Sequence, residues 1–419
     1  MRSITSQLLI SASVMLVIAF FASPAQAAYP GGNGRIAFAS GGFPRALATI
    51  EPNGSGRTQI VDQGDDPVWS PDGTQIAYTA PPTLTHGPQL AIVNADGTGP
   101  VFPTGTADNE SQPSWSPDGS KIAFTRFVPD GPFFVFEVFA MNADGTGQAR
   151  LTDSRADDPG FAATEPAWSP DGTRIAFTRT ITQPGNQPLD EEIYVMSADG
   201  TDLTRLTHNP ATTVLANDLS PAWSPDGTQI VFSSRREGSY GVHVMNADGT
   251  GLRRVAEAPQ ASFPAWSPDG ERLAFANPFH DIHTVRVDGT GLENVTRTPS
   301  VSELNPDWQP VNRVPDCSGV RATPDSLWPP NKQLRAVSLS GATDPDGDAV
   351  SVAISGVTHD EGDAVAEWSP GGTAAEVLLR ADRDPKGDGR LYTVAFEATD
   401  EHGASCTGEA IVAVPRHKP

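Results

Sequence analysis

The pentapeptide Trp69-Ser70-Pro71-Asp72-Gly73 decides the fold, because the chain repeats it. It returns at Trp115, Trp168, Trp223 and Trp266, and a degenerate sixth copy reads Asp307-Trp308-Gln309-Pro310. The Trp-to-Trp spacings are 46, 53, 55, 43 and 42 residues. Periods of this size mark stacked supersecondary units, and blades of four strands fit them best. Each unit opens on x-Pro-x-Trp, as in Asp66-Pro67-Val68-Trp69. Ser-Pro-Asp-Gly then suits a type I turn, with Ser first, Pro second and Gly fourth. A β-rich triplet follows, Ile76-Ala77-Tyr78 or Ile122-Ala123-Phe124. A third strand such as Glu192-Ile193-Tyr194-Val195-Met196 ends in a second turn, as in Asn142-Ala143-Asp144-Gly145. Asp-Gly between β-rich runs is a hairpin signal.

The array is offset at its ends. Ile36-Ala37-Phe38 has no Trp segment before it, and Trp308 has no such triplet after it. Pairing these two closes a ring and removes open sheet edges. The expected architecture is all-β: a six-bladed propeller over residues 28–311, followed by a separate module over 312–419.

Two motifs recurring in register, W-S-P-D-G followed by I-A-F and M-N-A-D-G-T-G, resemble the WD-like repeat of TolB-type propellers. The likeness covers about two thirds of the chain. It implies a six-bladed propeller in the cell envelope and, as in the family's namesake, a role in binding envelope proteins. The chain departs from TolB itself, which has an α/β domain before its propeller; here only the leader precedes Ala28.

Loop lengths separate two faces. Seven residues run from each Trp to the next Ile or Leu in the five complete units, and the Asp-Gly turns are equally uniform. The other connections vary, with long insertions at 127–134, 180–191, 153–165 and 208–220. Loops on a rigid scaffold are where binding sites concentrate. On the variable face the residues before each Pro-x-Trp are expected to ring the channel mouth: Asp66, Gln112, Glu165, Ser220, Phe263 and Asn305. Arg126 and Arg179 occupy equivalent positions after Ile-Ala-Phe-Thr, and Arg235 and Arg236 lie close to the corresponding place in the next blade. This rim either receives a peptide segment or small ligand, or is a solvated border of a water-filled channel. The turn aspartates Asp72, Asp118, Asp171, Asp226 and Asp269 read as backbone caps rather than a catalytic array.

Catalytic signatures are lacking. Prolyl-oligopeptidase-type enzymes pair a similar propeller with a hydrolase domain bearing G-x-S-x-G, and neither that motif nor H-E-x-x-H occurs. A lyase resembling oligogalacturonide lyases needs metal-binding histidines in the channel. His86, His208, His280 and His283 fall near variable loops with no spacing that forces them together.

After a Pro-containing linker at 309–315, alternating strands such as Val350-Ser351-Val352-Ala353-Ile354 and one distant cysteine pair suggest an immunoglobulin-like sandwich. The stretches at 327–332 and 342–348 resemble secreted Ig-like or cadherin-like modules. Cys317 and Cys406, the two cysteines of the chain, are expected to form a disulfide in an exported protein. Asp344, Asp346 and Asp348 have the spacing of the first three ligands of a calcium loop. Ala349 and Ser355 stand where an EF-hand needs Gly and Glu, which excludes that motif and leaves a looser calcium site or a plain acidic turn. No other cofactor is indicated.

Arg2, an apolar run from Leu8 to Phe21, and Ala25-Gln26-Ala27 form an export leader over 1–27 with cleavage before Ala28. No second apolar stretch is long enough to span a bilayer. Asp+Glu is 51 against 28 Lys+Arg, net −23, which excludes nucleic acid as a partner and disfavours anionic surfaces. Gly (40) and Pro (39) make about 19% of the chain, as short strands and tight turns require. The sequence reads as an exported, monomeric, non-catalytic binding protein, periplasmic, wall-associated or secreted, with an envelope or extracellular protein as partner. A carbohydrate-active or hydrolytic propeller is the alternative.

Overall fold

The computed structural model describes residues 28–83, 86–105, 109–130, 133–154, 160–181, 190–209, 217–256, 261–277, 281–298, 300–346, 348–360, 368–370, 375–382, 389–400 and 403–417. The leader expected at 1–27 and His280 lie outside them. Every regular element among the described residues is a β-strand.

The ring closes as its end-offset requires. Glu303–Val311 pairs antiparallel with Gly32–Ser40, setting Trp308 opposite Ile36, and Ala46–Ile50 and Thr58–Val61 complete this first blade. The second holds Asp65–Trp69, Gln75–Ala80 and Gln89–Asn94, with a single bridge from Ile92 to Val101 beyond them. The third runs Asn109–Trp115, Lys121–Asp130, Phe133–Asn142 and Ala149–Arg150. The fourth runs Gly160–Trp168, Arg174–Ile181, Asp190–Ser197 and Thr204–Arg205. A parallel contact between Ala162 and Phe136 fuses these two into one sheet. Asp218–Trp223 opens the fifth blade and Ser262–Trp266 the sixth, each with three more strands.

Why these residues form blades follows from burial on both faces. Ile36, Ala37 and Phe38 are all buried, as are Ile122, Ala123 and Phe124. A strand covered on both sides reads as a continuous apolar run rather than an alternation. The cores lie between blades, one at each of six seams. Trp69 meets Ala37 and Leu47 of the first blade, Trp223 meets Ala167 and Ile193 of the fourth, and Trp308 meets Ala265 and Ala274 of the sixth. Six such seams join each blade to the next and the last to the first.

The Asp-Gly turns lock neighbours together. Gly200 has φ +89°, and a Cβ there would stand 2.7 Å from the Leu151 carbonyl oxygen of the preceding blade. Only glycine combines that conformation with that approach.

Beyond Val311 the strands form two sheets. One orders Arg321–Thr323, Leu334–Ser340, Glu376–Arg380 and Trp368–Pro370; the other orders Ser351–His359, Gly389–Thr399 and Ser405–Pro415. Val337, Leu339, Val377 and Leu379 of the first share a core with Tyr392, Val394, Phe396 and Val412 of the second. This two-sheet packing fits an immunoglobulin-like sandwich. Cys317 and Cys406 are disulfide-bonded. Trp368, which imitates the repeat, pairs with Leu379 in this unit.

Candidate functional site: the channel mouth

The six residues before Pro-x-Trp share one unusual conformation. Their φ angles are +54° at Asp66, +57° at Gln112 and Glu165, +54° at Ser220, +55° at Phe263 and +61° at Asn305. The pairing with the second strand slips at each of these places, for instance between Asp65 and Val68 and between Leu219 and Ala222. These are β-bulges, which leave a residue unpaired and bend the strand. The proline that follows has no N–H to lose there. A left-handed non-glycine residue costs on the order of 1 kcal/mol or more, so the surroundings must hold it.

They do so through the preceding blade. The N–H groups of Gln112, Glu165, Ser220 and Phe263 donate to Thr79 Oγ1 at 3.1 Å, Thr125 Oγ1 at 3.2 Å, Thr178 Oγ1 at 3.3 Å and Ser233 Oγ at 3.1 Å. Each hydroxyl stands three residues after the Ile that starts its triplet. Ala39 and Ala276 take that place in the first and sixth blades, so the bulges at Asp66 and Asn305, which follow them, are held otherwise. Asp66 N–H donates to Asp65 Oδ1 at 3.1 Å, and Asn305 Nδ2 donates to Asp65 Oδ1 at 2.8 Å and to Asp66 Oδ1 at 3.1 Å.

The rim expected to be open is therefore a buried belt. Asp66, Gln112, Glu165, Ser220 and Asn305 are all at most 3% exposed, and Phe263 packs against the core of the sixth-to-first seam. The Glu165 carboxylate is engaged by Ser220 N–H at 2.7 Å and Thr178 Oγ1 at 2.5 Å. Burial pushes its pKa up to about 8 against those stabilising bonds, so the group is largely protonated at neutral pH.

Outside the belt, alternate blades carry a buried acid two residues before the bulge: Glu303, Glu110 and Asp218. Each meets an arginine, Arg57, Arg126 and Arg236 respectively. These guanidinium groups also lie over Phe38, Phe124 and Phe232, the last residues of their triplets. The arginines come from different sequence positions. Arg126 stands two residues after its triplet, whereas Arg57 and Arg236 reach in over Ser40 and Ser234, whose hydroxyls accept at 2.7 and 2.8 Å. The acids could have been found from their fixed offset; the arginines share no offset. Arg126 and Arg179 are buried, and the Arg179 guanidinium lies over the Tyr194 ring, 5.5 Å from its centre.

Among the described residues of the fourth and fifth blades, four half-buried polar groups stand at the variable end. Half-buried Glu191 accepts from Asn217 Nδ2 at 2.5 Å, and burial, with Asp190 beside it, pushes its pKa up to about 7. Arg235 lies 5.9 Å from the Tyr240 ring centre, and both are half-buried. A carboxylate, an amide, a guanidinium and a phenol thus stand together beside the longest connections.

The turn aspartates are caps. Asp72 Oδ1 accepts from Ser70 Oγ at 2.5 Å and from Thr74 N–H at 3.1 Å, and the other four repeat this. The hydrogen bond from Ser116 holds Asp118 below the usual carboxylate range despite partial burial. His86 and His208 are exposed and His283 stacks on Phe275, so these three do not converge.

In the C-terminal unit Asp344 and Asp348 meet Asp400, brought by the end of a strand some fifty residues on, with one oxygen of each within 4.8 Å of the others. Asp346, expected among the ligands, instead accepts on its carboxylate from the backbone N–H and the Nε of Arg313. Asp344 Oδ2 is buried without a hydrogen-bond partner. Three carboxylates suit a hard cation such as calcium.

Residues 159–315 match the family model of the TolB beta propeller domain. A TolB homolog of Chlorobium luteolum is 34% identical over 28% of this chain and 33% of its own length. An uncharacterized peptidase of Bacillus subtilis, YuxL, is 26% identical over 23% of this chain and 14% of its own. The chain thus matches a third or less of the length of either relative. The crystal structure of TolB from Acinetobacter baumannii superposes with a TM-score of 0.50 at 22% identity, covering 66% of this chain and 67% of that one. The chain carries a TolB-like β-propeller.

Proposed function

We propose that this chain is an exported, non-catalytic binding protein whose variable face engages another protein of the cell envelope or the extracellular space. The leader at 1–27, a propeller at 28–311 and an Ig-like spacer or adhesive unit at 312–419 are parts of this proposal. The observation that carries it is how the polar groups are used. The belt residues and the acid–arginine pairs bond one another in the interior, leaving Glu191, Asn217, Arg235 and Tyr240 as the mixed polar and aromatic patch at the mouth. Tyr and Arg are the residue types that dominate protein interfaces. The TolB-like propeller supports interaction with proteins in general, and the Chlorobium relative supports the envelope. The likeness to a peptidase covers 14% of that protein.

The experiment is an envelope pull-down with the mature chain, beside a bait carrying Glu191→Lys, Arg235→Glu and Tyr240→Ala. A protein recovered by the first bait and lost from the second is the expected result. Retained glycan, or equal recovery by both, overturns the assignment of the mouth in favour of a carbohydrate ligand or of the C-terminal unit.

A further inference from the structure

Ala28 and Tyr29, ahead of the first strand, do not lie on the surface. Ala28 joins the core between the fifth and sixth blades, with Val242, Trp266 and Val285. Tyr29 joins the core between the second and third, with Leu90, Trp115 and Met141. In a closed ring of six blades these two seams face each other across the central axis. The hydrogen bonds agree: Ala28 N–H donates to the Trp223 carbonyl at 3.3 Å, and the Tyr29 hydroxyl donates to the Trp115 carbonyl at 2.6 Å. Ala28 is 7% exposed and Tyr29 5%.

The two carbonyls fix the depth. Trp115 and Trp223 stand three residues past Gln112 and Ser220 of the buried belt, which is about 10 Å along a strand. They end the inner strands on the side of the uniform Ser-Pro-Asp-Gly turns, opposite the variable loops. An inner strand has a partner on one edge only, so backbone groups on its other edge need satisfying from elsewhere. Asp307 Oδ2 accepts from Trp69 N–H at 2.8 Å and Ser114 Oγ from Trp168 N–H at 3.1 Å. Ala28 and Tyr29 meet the same need at two carbonyls.

We infer that Ala28-Tyr29 is a crossbar that closes the channel at its uniform end, which makes the variable face the side from which a ligand reaches the channel. The closure stands on the packing and hydrogen bonds; only the ligand's route rests on the proposed binding face. With the leader removed after Ala27, as proposed, the Ala28 nitrogen is an ammonium and its bond to Trp223 becomes charge-assisted.

The test uses the full exported chain. N-acetylimidazole acetylates accessible phenols, and peptide mass spectrometry reads each tyrosine separately. Tyr29 is expected to react at least about tenfold more slowly in the native protein than in the chain unfolded in urea, as its burial requires. Tyr29→Ala opens an apolar cavity that p-cresol fits, so p-cresol is expected to raise the Tm of that variant and leave the parent unchanged. Tyr29→Phe keeps the ring and is expected to lower Tm by about 2–4 °C, which decides the matter should Tyr29→Ala not fold. Acetylation of Tyr29 at the unfolded rate, or an unchanged Tm in Tyr29→Phe together with no p-cresol response, overturns the crossbar. None of these readouts needs the partner, so failure here is distinct from failure of the binding-face reading.

Discussion

Asn305 and Asp66, 239 residues apart, share a hydrogen bond of 3.1 Å across the seam between the first and second blades. They occupy the same place in adjacent blades, both left-handed and both buried. Elsewhere a hydroxyl of the preceding blade holds the bulge; here Ala276 and Ala39 offer none. The amide–carboxylate contact takes over that task beside the blade in which the propeller's two ends meet.

Asn305→Ala should therefore weaken the whole ring rather than one blade. It leaves Asp66 and Asp65 each short of a donor in the interior, a loss of about 1–3 kcal/mol. Urea unfolding of the variant should show a lower midpoint with an unchanged slope. A midpoint equal to that of the parent would show that the seam is held by its apolar core alone.

Acidic pH should stabilise the propeller. The carboxyl groups of Glu165, at about 8, and Asp307, at about 7, are raised by burial above their ordinary values. The folded state then binds more protons than the unfolded chain between roughly pH 4 and 8. Stability from these groups is fully present below the unfolded pKa values and is lost as pH rises through the folded ones. Tm is expected to fall from pH 5 to pH 8, and Glu165→Gln to flatten that fall. A Tm that rises across the window contradicts the assignment.

Much of the architecture could be read from residue spacing because each blade repeats the same local chemistry: proline where a bulge has no N–H to give, Asp-Gly where a hairpin turns. The positions of the mouth residues followed from the same motif. Their burial did not, because it depends on Thr79, Thr125, Thr178 and Ser233, whose role appears only once one blade is set against the next. Arg57 was illegible for a related reason: it reaches Glu303 from a part of the sequence unlike those that bring Arg126 and Arg236 to the equivalent acids. Asp400 was hidden from the acidic run at 344–348 by the chain length between them.

The glycines allow conformation and contact to be separated. Gly200 and Gly238 have similar φ angles, +89° and +87°, but a Cβ on Gly200 meets the Leu151 carbonyl while one on Gly238 meets nothing within 4 Å. Gly238→Ala should cost the left-handed strain alone, about 1–2 kcal/mol. Gly200→Ala should cost about 1–3 kcal/mol more, because two blades must separate. Equal losses would mean that the turn yields without disturbing its neighbour.

Calcium is expected to act on the C-terminal unit through Asp344, Asp348 and Asp400. Ligand at about a hundredfold its Kd stabilises by about 2.7 kcal/mol, visible as a rise of several degrees in that unit's transition in the full chain. Asp344→Asn should abolish the rise, since it removes charge at the carboxyl whose Oδ2 is buried without a hydrogen-bond partner. Asp346→Asn should lower the starting Tm through the lost Arg313 pair and keep the rise. The two variants thus separate a ligand from a neighbour two residues away. No rise in the parent, or an equal rise in Asp344→Asn, would leave the three carboxylates as an acidic turn.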